Sequence, residues 1–142
     1  MNFLTVKALI AFAGVALTLG GWYFDAIKKP YTHLFSPDWL PHARYHSALW
    51  LFAITVACLG SLGLLWGHYP GQDSQLAIWV AAFLPGLFYL SFFPSLLFRH
   101  ASSWDDGEAP FMPIAPQVLV ATVMLLVLVG ALWLDTQLRL PA

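Results

Sequence analysis

At 142 residues, with 60% hydrophobic and 9% charged side chains and a mean hydropathy of +0.73, the chain has room for one domain and belongs to the membrane class. A formal net charge of -1 provides no basic footprint for nucleic acid, which is excluded as a partner. The one cysteine, Cys58, lies in an apolar run, so neither an intrachain disulfide nor a cysteine-based zinc site can form, and it reads as a small buried hydrophobe.

Four runs lack charge: Ala8 to Phe24, Ser47 to Gly67, Ser74 to Phe98 and Ala109 to Leu134. Crossing the hydrocarbon takes ~20 apolar residues at ~1.5 Å each, which every run meets with its flanks. The runs are continuous and rich in Leu and Ala, without the alternation of a barrel strand. They predict an all-α integral membrane four-helix bundle with both termini on the same side. Its single transmembrane domain, 1–142, has spans at about 5–25, 43–66, 75–98 and 116–135.

In chain order, Lys7 followed by an apolar stretch invites comparison with a signal peptide. The run ends, however, in the interfacial aromatics Trp22, Tyr23 and Phe24 rather than a small-residue cleavage site, and predicts a retained helix. Gly14, Gly20 and Gly21 permit close approach of a neighbour, although glycine is common in any membrane helix. From Asp25 to Pro41 the chain leaves the membrane, and Pro41 suits the first turn of the second helix. His42 and His46 then fall four apart on one helical face. The segment 67–73 is a turn rich in breakers, and Pro85 and Pro94 predict bends in the third helix that face the bundle. A second polar loop, His100 to Pro116, precedes a plain Leu/Val/Ala fourth span, and no internal repeat or low-complexity tract is present.

Four crossings put the loops after the first and third helices on one side. That side holds Asp25, Lys28, Lys29, His33, Asp38, His42, Arg44, His46, Arg99, His100, Asp105, Asp106 and Glu108. The other has only Lys7, His68, Asp73, Asp135, Arg139 and the chain ends. Four Lys and Arg against two predict a cytoplasmic polar face, in a multi-pass protein of the bacterial inner membrane.

The stretch Thr32 to His46, T-H-L-F-S-P-D-W-L-P-H-A-R-Y-H, contains three of the five histidines. It resembles the T-H-x-x-x-P-x-W-x-P-H-A-[RK]-aromatic-H signature of a family of small bacterial and fungal four-helix membrane proteins classed as a domain of unknown function. Ser36 and Leu40 stand where that family more often has Asn and Pro. The resemblance implies the four-span fold and makes the histidine stretch the family feature. Some members carry an acetyltransferase label, which no phosphate-cradling loop or coenzyme-A site in this chain supports.

Four readings of the polar face follow. The first is acid/base chemistry of isomerase or cyclase type on a lipophilic small molecule entering from the bilayer. His42, His46, Asp25 and Glu108 would carry the protons, and Trp22, Trp39, Trp50 and Trp104, with Arg44, would bind the substrate. Its layout is similar, at the level of fold alone, to the sterol-isomerase and sigma-2-receptor superfamily. The second is a zinc or iron site built from His33, His42, His46 and His100 with Asp105, Asp106 or Glu108, against which Arg44 adds a repelling charge nearby. The third is haem held by His46 and His100, which open the second helix and close the third at the same depth. The fourth is an accessory or binding subunit, alone, as a homo-oligomer or with a membrane-protein partner. Its interfacial aromatics would face lipid, Asp105 to Glu108 would be a solvated surface, and Arg44 would pair with Asp38 or Asp105.

Overall fold

The computed structural model describes residues 2–28, 33–99 and 113–141, and among these the regular structure is entirely helical. Helix α1 spans Phe3–Trp22 and runs on into a π-helical turn, Tyr23–Ile27; α2 spans Pro41–Trp66, α3 Gln75–Ser95 and α4 Pro116–Arg139. All four are long and apolar enough to cross a membrane, the architecture of an integral multi-pass protein. Each helix packs against its neighbour in the chain, α1 closes the ring against α4, and α1 also touches α3 across the middle.

The local start signals agree with the sequence. The Asn2 side chain accepts from Thr5 N at 3.1 Å to cap α1, Ser74 does the same for Ala77 N at 3.2 Å in α3, and Pro41 and Pro116 open α2 and α4. Helix α4 continues to Arg139 rather than ending near 135, because Arg139, one turn beyond Asp135, neutralises that carboxylate. Helix α3 stops at Ser95, short of the expected 98.

The inward stripe of α1 is Val6, Ile10, Ala13, Gly14 and Leu17, and that of α2 is Leu51, Ile54, Cys58, Ser61 and Leu65, both at helical spacing. Opposite them α3 presents small side chains, Ala77, Ala81, Ala82 and Gly86, which let the backbones approach closely. A Cβ added to buried Gly14 would lie 3.6 Å from Cys58 Sγ and 3.9 Å from Pro85 Cβ, so this glycine sits at a real helix contact.

Pro85 shows how the bundle accommodates a break. A proline at 85 offers no N–H to the carbonyl of Ala81, four residues earlier, and that carbonyl instead accepts from Ser61 Oγ of α2 at 2.7 Å. The partner comes from a neighbouring helix, so the bend and the α2–α3 contact are one feature. Pro94 corrects the parallel expectation: it is exposed, within two residues of the end of α3. Replacing Ser61 by alanine is therefore expected to cost about 1 kcal/mol, the worth of one hydrogen bond in such a bundle. In a Pro85→Ala background, where residue 85 regains an N–H for Ala81, the same change should cost much less. A double-mutant cycle read by unfolding in detergent measures this coupling, and additive effects would refute it.

At the other end of the bundle, four of the five polar residues expected on the sparser face, Lys7, Asp73, Asp135 and Arg139, join in one charged network. Asp135 is fully buried, and both its oxygens accept from Arg139 Nε at 3.0 Å, with Nη2 at 2.8 Å. The same guanidinium donates to the Asp73 carbonyl at 2.8 Å and lies over the Phe3 ring, 4.9 Å from its centroid. The Asp73 carboxylate pairs with largely buried Lys7 at 2.5 Å. The start of α1, the α2–α3 turn and the end of α4 are thus tied together at one point.

Candidate active site

The site forms at the opposite end, where α1 ends, α2 begins, α3 ends and α4 begins. Continued as an α-helix, residue 25 would point about 80° past the inward face marked by Leu17. The wider π turn, closed by Lys28 N donating to Tyr23 O at 2.7 Å, rotates less per residue and swings Asp25 back toward the bundle. Asp25 thereby joins the wall of a half-open cavity of about 180 Å³.

All four helices line that cavity. Leu17, Ile54, Phe92 and Val120 make its sides apolar, Gly20 and Gly21 leave room along α1, and Trp50, Tyr89 and Gln117 add polar atoms to aromatic and aliphatic surface. Two of the polar side chains brace the bundle: Tyr89 OH donates to the Ala13 carbonyl at 2.8 Å, and Trp50 packs edge-on against Phe88 at 5.0 Å. Asp25 is the acidic side chain among the lining residues.

His33 and Leu34 lie against the π turn. Leu34 N donates to the Asp25 carbonyl at 2.9 Å, and His33 Nδ1 is in short hydrogen-bond contact with Asp25 Oδ1. The His33 ring stacks on Trp39, centroids 4.5 Å apart and planes 23° off parallel, and the Trp39 carbonyl accepts from Arg44 Nε at 3.0 Å. His33, Trp39 and Arg44 therefore form a chain of contacts that holds one imidazole against one carboxylate. With Nδ1–H donated to that carboxylate, the neutral ring carries its lone pair on Nε2. The Asp25 side chain is 18% exposed and that of His33 33%, so the pair runs from the apolar cavity outward toward water.

The residues predicted as a site are redistributed. Asp25 and Trp50 line the cavity, whereas His42 and His46 stand exposed on the first turns of α2 and are not among its lining residues. Trp22 also lies outside the lining: its Nε1–H donates to Thr55 Oγ1 at 2.9 Å and its ring meets Phe52 edge-on at 5.7 Å. Trp39 and Arg44 position His33 rather than line the cavity, and among the described residues Arg44 makes no ion pair with Asp38. Among the described residues no three His, Cys, Asp or Glu side chains converge as a metal cluster, so His33, His42 and His46 do not form the core of the expected zinc or iron site. His100, Trp104, Asp105, Asp106 and Glu108, and with them the haem pairing of His46 and His100, lie outside the described residues. Sequence reasoning missed Tyr89 and Gln117 as wall residues and ranked His33 below His42 and His46. The signal that could have found the pair was Asp25 at the end of a span, eight residues before a histidine in the conspicuous stretch.

Comparison with protein-family models, curated proteins and solved structures finds no match.

Gly20 provides a probe of the cavity. It lines the space, and a Cβ built there meets nothing within 4 Å, whereas one at Gly21 would press on Leu51 Cδ2 at 3.3 Å. Gly20→Leu is expected to reach into the cavity and to raise stability by about 0.5–1 kcal/mol, because leucine loses less backbone entropy in a helix. Binding of lipophiles, followed by quenching of tryptophan emission with a brominated probe, should fall at the same time. A variant that binds the probe as well as wild type would show that the cavity is not the binding site.

Proposed function

We propose that this protein is a small membrane enzyme that moves a proton between carbons of a lipophilic substrate, an isomerase-type reaction, with Asp25 as the acid/base group and His33 as its relay. The observation that carries this reading is the Asp25–His33 pair at the wall of an apolar cavity shared by four membrane-crossing helices. A few convergent polar groups in an otherwise apolar pocket mark a ligand site.

The chemistry balances without a redox partner. The Asp25 carboxylate accepts a proton from one carbon of the substrate, that proton exchanges with water through His33, and Asp25 delivers a proton to another carbon, so one C–H bond breaks, one forms and a double bond shifts. His33 fixes the orientation of the carboxylate and passes protons between it and water, being the more exposed of the two.

Volume sets the substrate class. A cavity of about 180 Å³ is close to the ~150 Å³ that accommodates benzene and below the ~300 Å³ of a drug-sized pocket. It admits a single ring or one branched isoprenoid-sized portion, with the remainder of the molecule left in the bilayer. A four-ring sterol nucleus would not fit wholly inside it. The count of Lys and Arg favours placing this end at the cytoplasmic face of a bacterial inner membrane.

The test works with an unidentified substrate. Protein reconstituted in vesicles made from a total lipid extract of its host membrane is incubated in D₂O, and the lipids are analysed by mass spectrometry. Proton transfer at carbon predicts one lipid species that gains deuterium only when the protein is present. No gain with correctly folded wild-type protein would remove the enzymatic reading and leave the cavity as the binding site of an accessory subunit.

A further inference from the structure

His42 and His46 take no part in the cavity, yet their arrangement is specific. Both are exposed, one helical turn apart at the start of α2, with ring planes at 90° and centroids 4.5 Å apart. Their Nε2 atoms approach to 3.0 Å. An N···N hydrogen bond takes one donor and one acceptor, so at least one ring is neutral and aims a lone pair at the other nitrogen. The two imidazoles therefore converge tip to tip.

We infer that His42 and His46 form a two-imidazole site for a divalent transition metal of the copper(II) and nickel(II) type, at the water boundary of the bundle and separate from the Asp25 cavity. A metal about 2.0–2.1 Å from each nitrogen of a pair 3.0 Å apart subtends roughly 90–100°, the angle between adjacent positions of a tetragonal or octahedral sphere. Imidazole nitrogens suit these ions, and copper(II) heads their affinity order. Water or a lipid phosphate fills the remaining positions, both ligands being exposed.

Two charges bear on the site. Arg44, between the histidines in sequence, is held elsewhere by its Nε hydrogen bond to the Trp39 carbonyl at 3.0 Å, which answers the repulsion expected from the sequence. The positive end of α2 works against a cation, by less than about tenfold in affinity. Simultaneous ligation by two rings already held at the required spacing outweighs that loss, because little side-chain freedom remains to be lost on binding.

The experiment titrates untagged, full-length protein in detergent with copper(II) chloride in a weakly coordinating buffer and follows affinity and electron paramagnetic resonance. The expected result is one ion per chain with the spectrum of two imidazole nitrogens. His42→Ala and His46→Ala should each weaken binding by about tenfold or more and leave one nitrogen, the scale on which altered ligand shells act. His68→Ala, at an exposed histidine beyond the other end of α2, and Asp25→Asn should both bind as wild type. Unchanged affinity in His42→Ala and His46→Ala, or less than one ion per wild-type chain, would overturn the assignment. Both altered histidines are exposed, and circular dichroism confirms that the variants remain folded.

Discussion

Asp25→Asn is expected to lower deuterium incorporation from solvent by about 10²–10⁴-fold, the range assigned to a positioned acid/base group. Asparagine has nearly the shape of aspartate and can still accept a hydrogen bond from His33, so the fold and the cavity should survive while proton transfer is lost. His33→Ala should have a smaller effect, because its ring acts through the carboxylate and is not itself part of the cavity wall. Added imidazole should restore part of the His33→Ala rate and none of the Asp25→Asn rate. A merely structural role for His33 would give no rescue. Equal rates in wild type and Asp25→Asn would assign the chemistry to another group.

Arg139→Met is expected to destabilise the bundle by about 3–5 kcal/mol, the cost of leaving a buried charge without its partner. Asp135 is fully buried in the last turns of α4, where the negative end of the helix already disfavours a carboxylate. Both of its oxygens depend on Arg139. The same substitution removes the bond to the Asp73 carbonyl and the contact with Phe3, which tie α4 to the α2–α3 turn and to α1. Adding Asp135→Asn should recover most of the loss, since no unpaired charge then remains buried. Thermal unfolding of the three variants in detergent reads the difference. A loss of stability under about 1 kcal/mol for Arg139→Met would mean that the pair behaves as a solvent-screened surface contact.

The two ends of the bundle divide the work in this scheme. One is clamped by charges that cross between helices, and at the other a π turn brings Asp25 to the wall of a cavity. A site needs space between helices that would otherwise close on each other.

The segment Thr32 to His46 shows what a sequence can disclose of such a site. Its polar residues stood out from an apolar chain, and the helical spacing of His42 and His46 made them look like its centre. The pairing of His33 with Asp25 depends instead on how an irregular loop folds back, which no periodicity encodes. Trp39 and Arg44 were legible as unusual residues, while their service to His33 became visible only through a ring stack and a backbone carbonyl.

The sequence by itself determined the class of the protein. Apolar runs of spanning length leave the backbone no option in lipid but to satisfy its own hydrogen bonds as helices, and proline and capping residues mark where all four of those helices start. The tertiary structure alone decided what those helices enclose. The supply of Ser61 to the carbonyl freed by Pro85, the reach of Arg139 to the Asp73 carbonyl and the contact of His33 with Asp25 all depend on how separate segments fold together. Hydrophobic pattern specifies which residues leave water; it does not specify which partner a polar group meets, and the pairing of His33 with Asp25 is one such case.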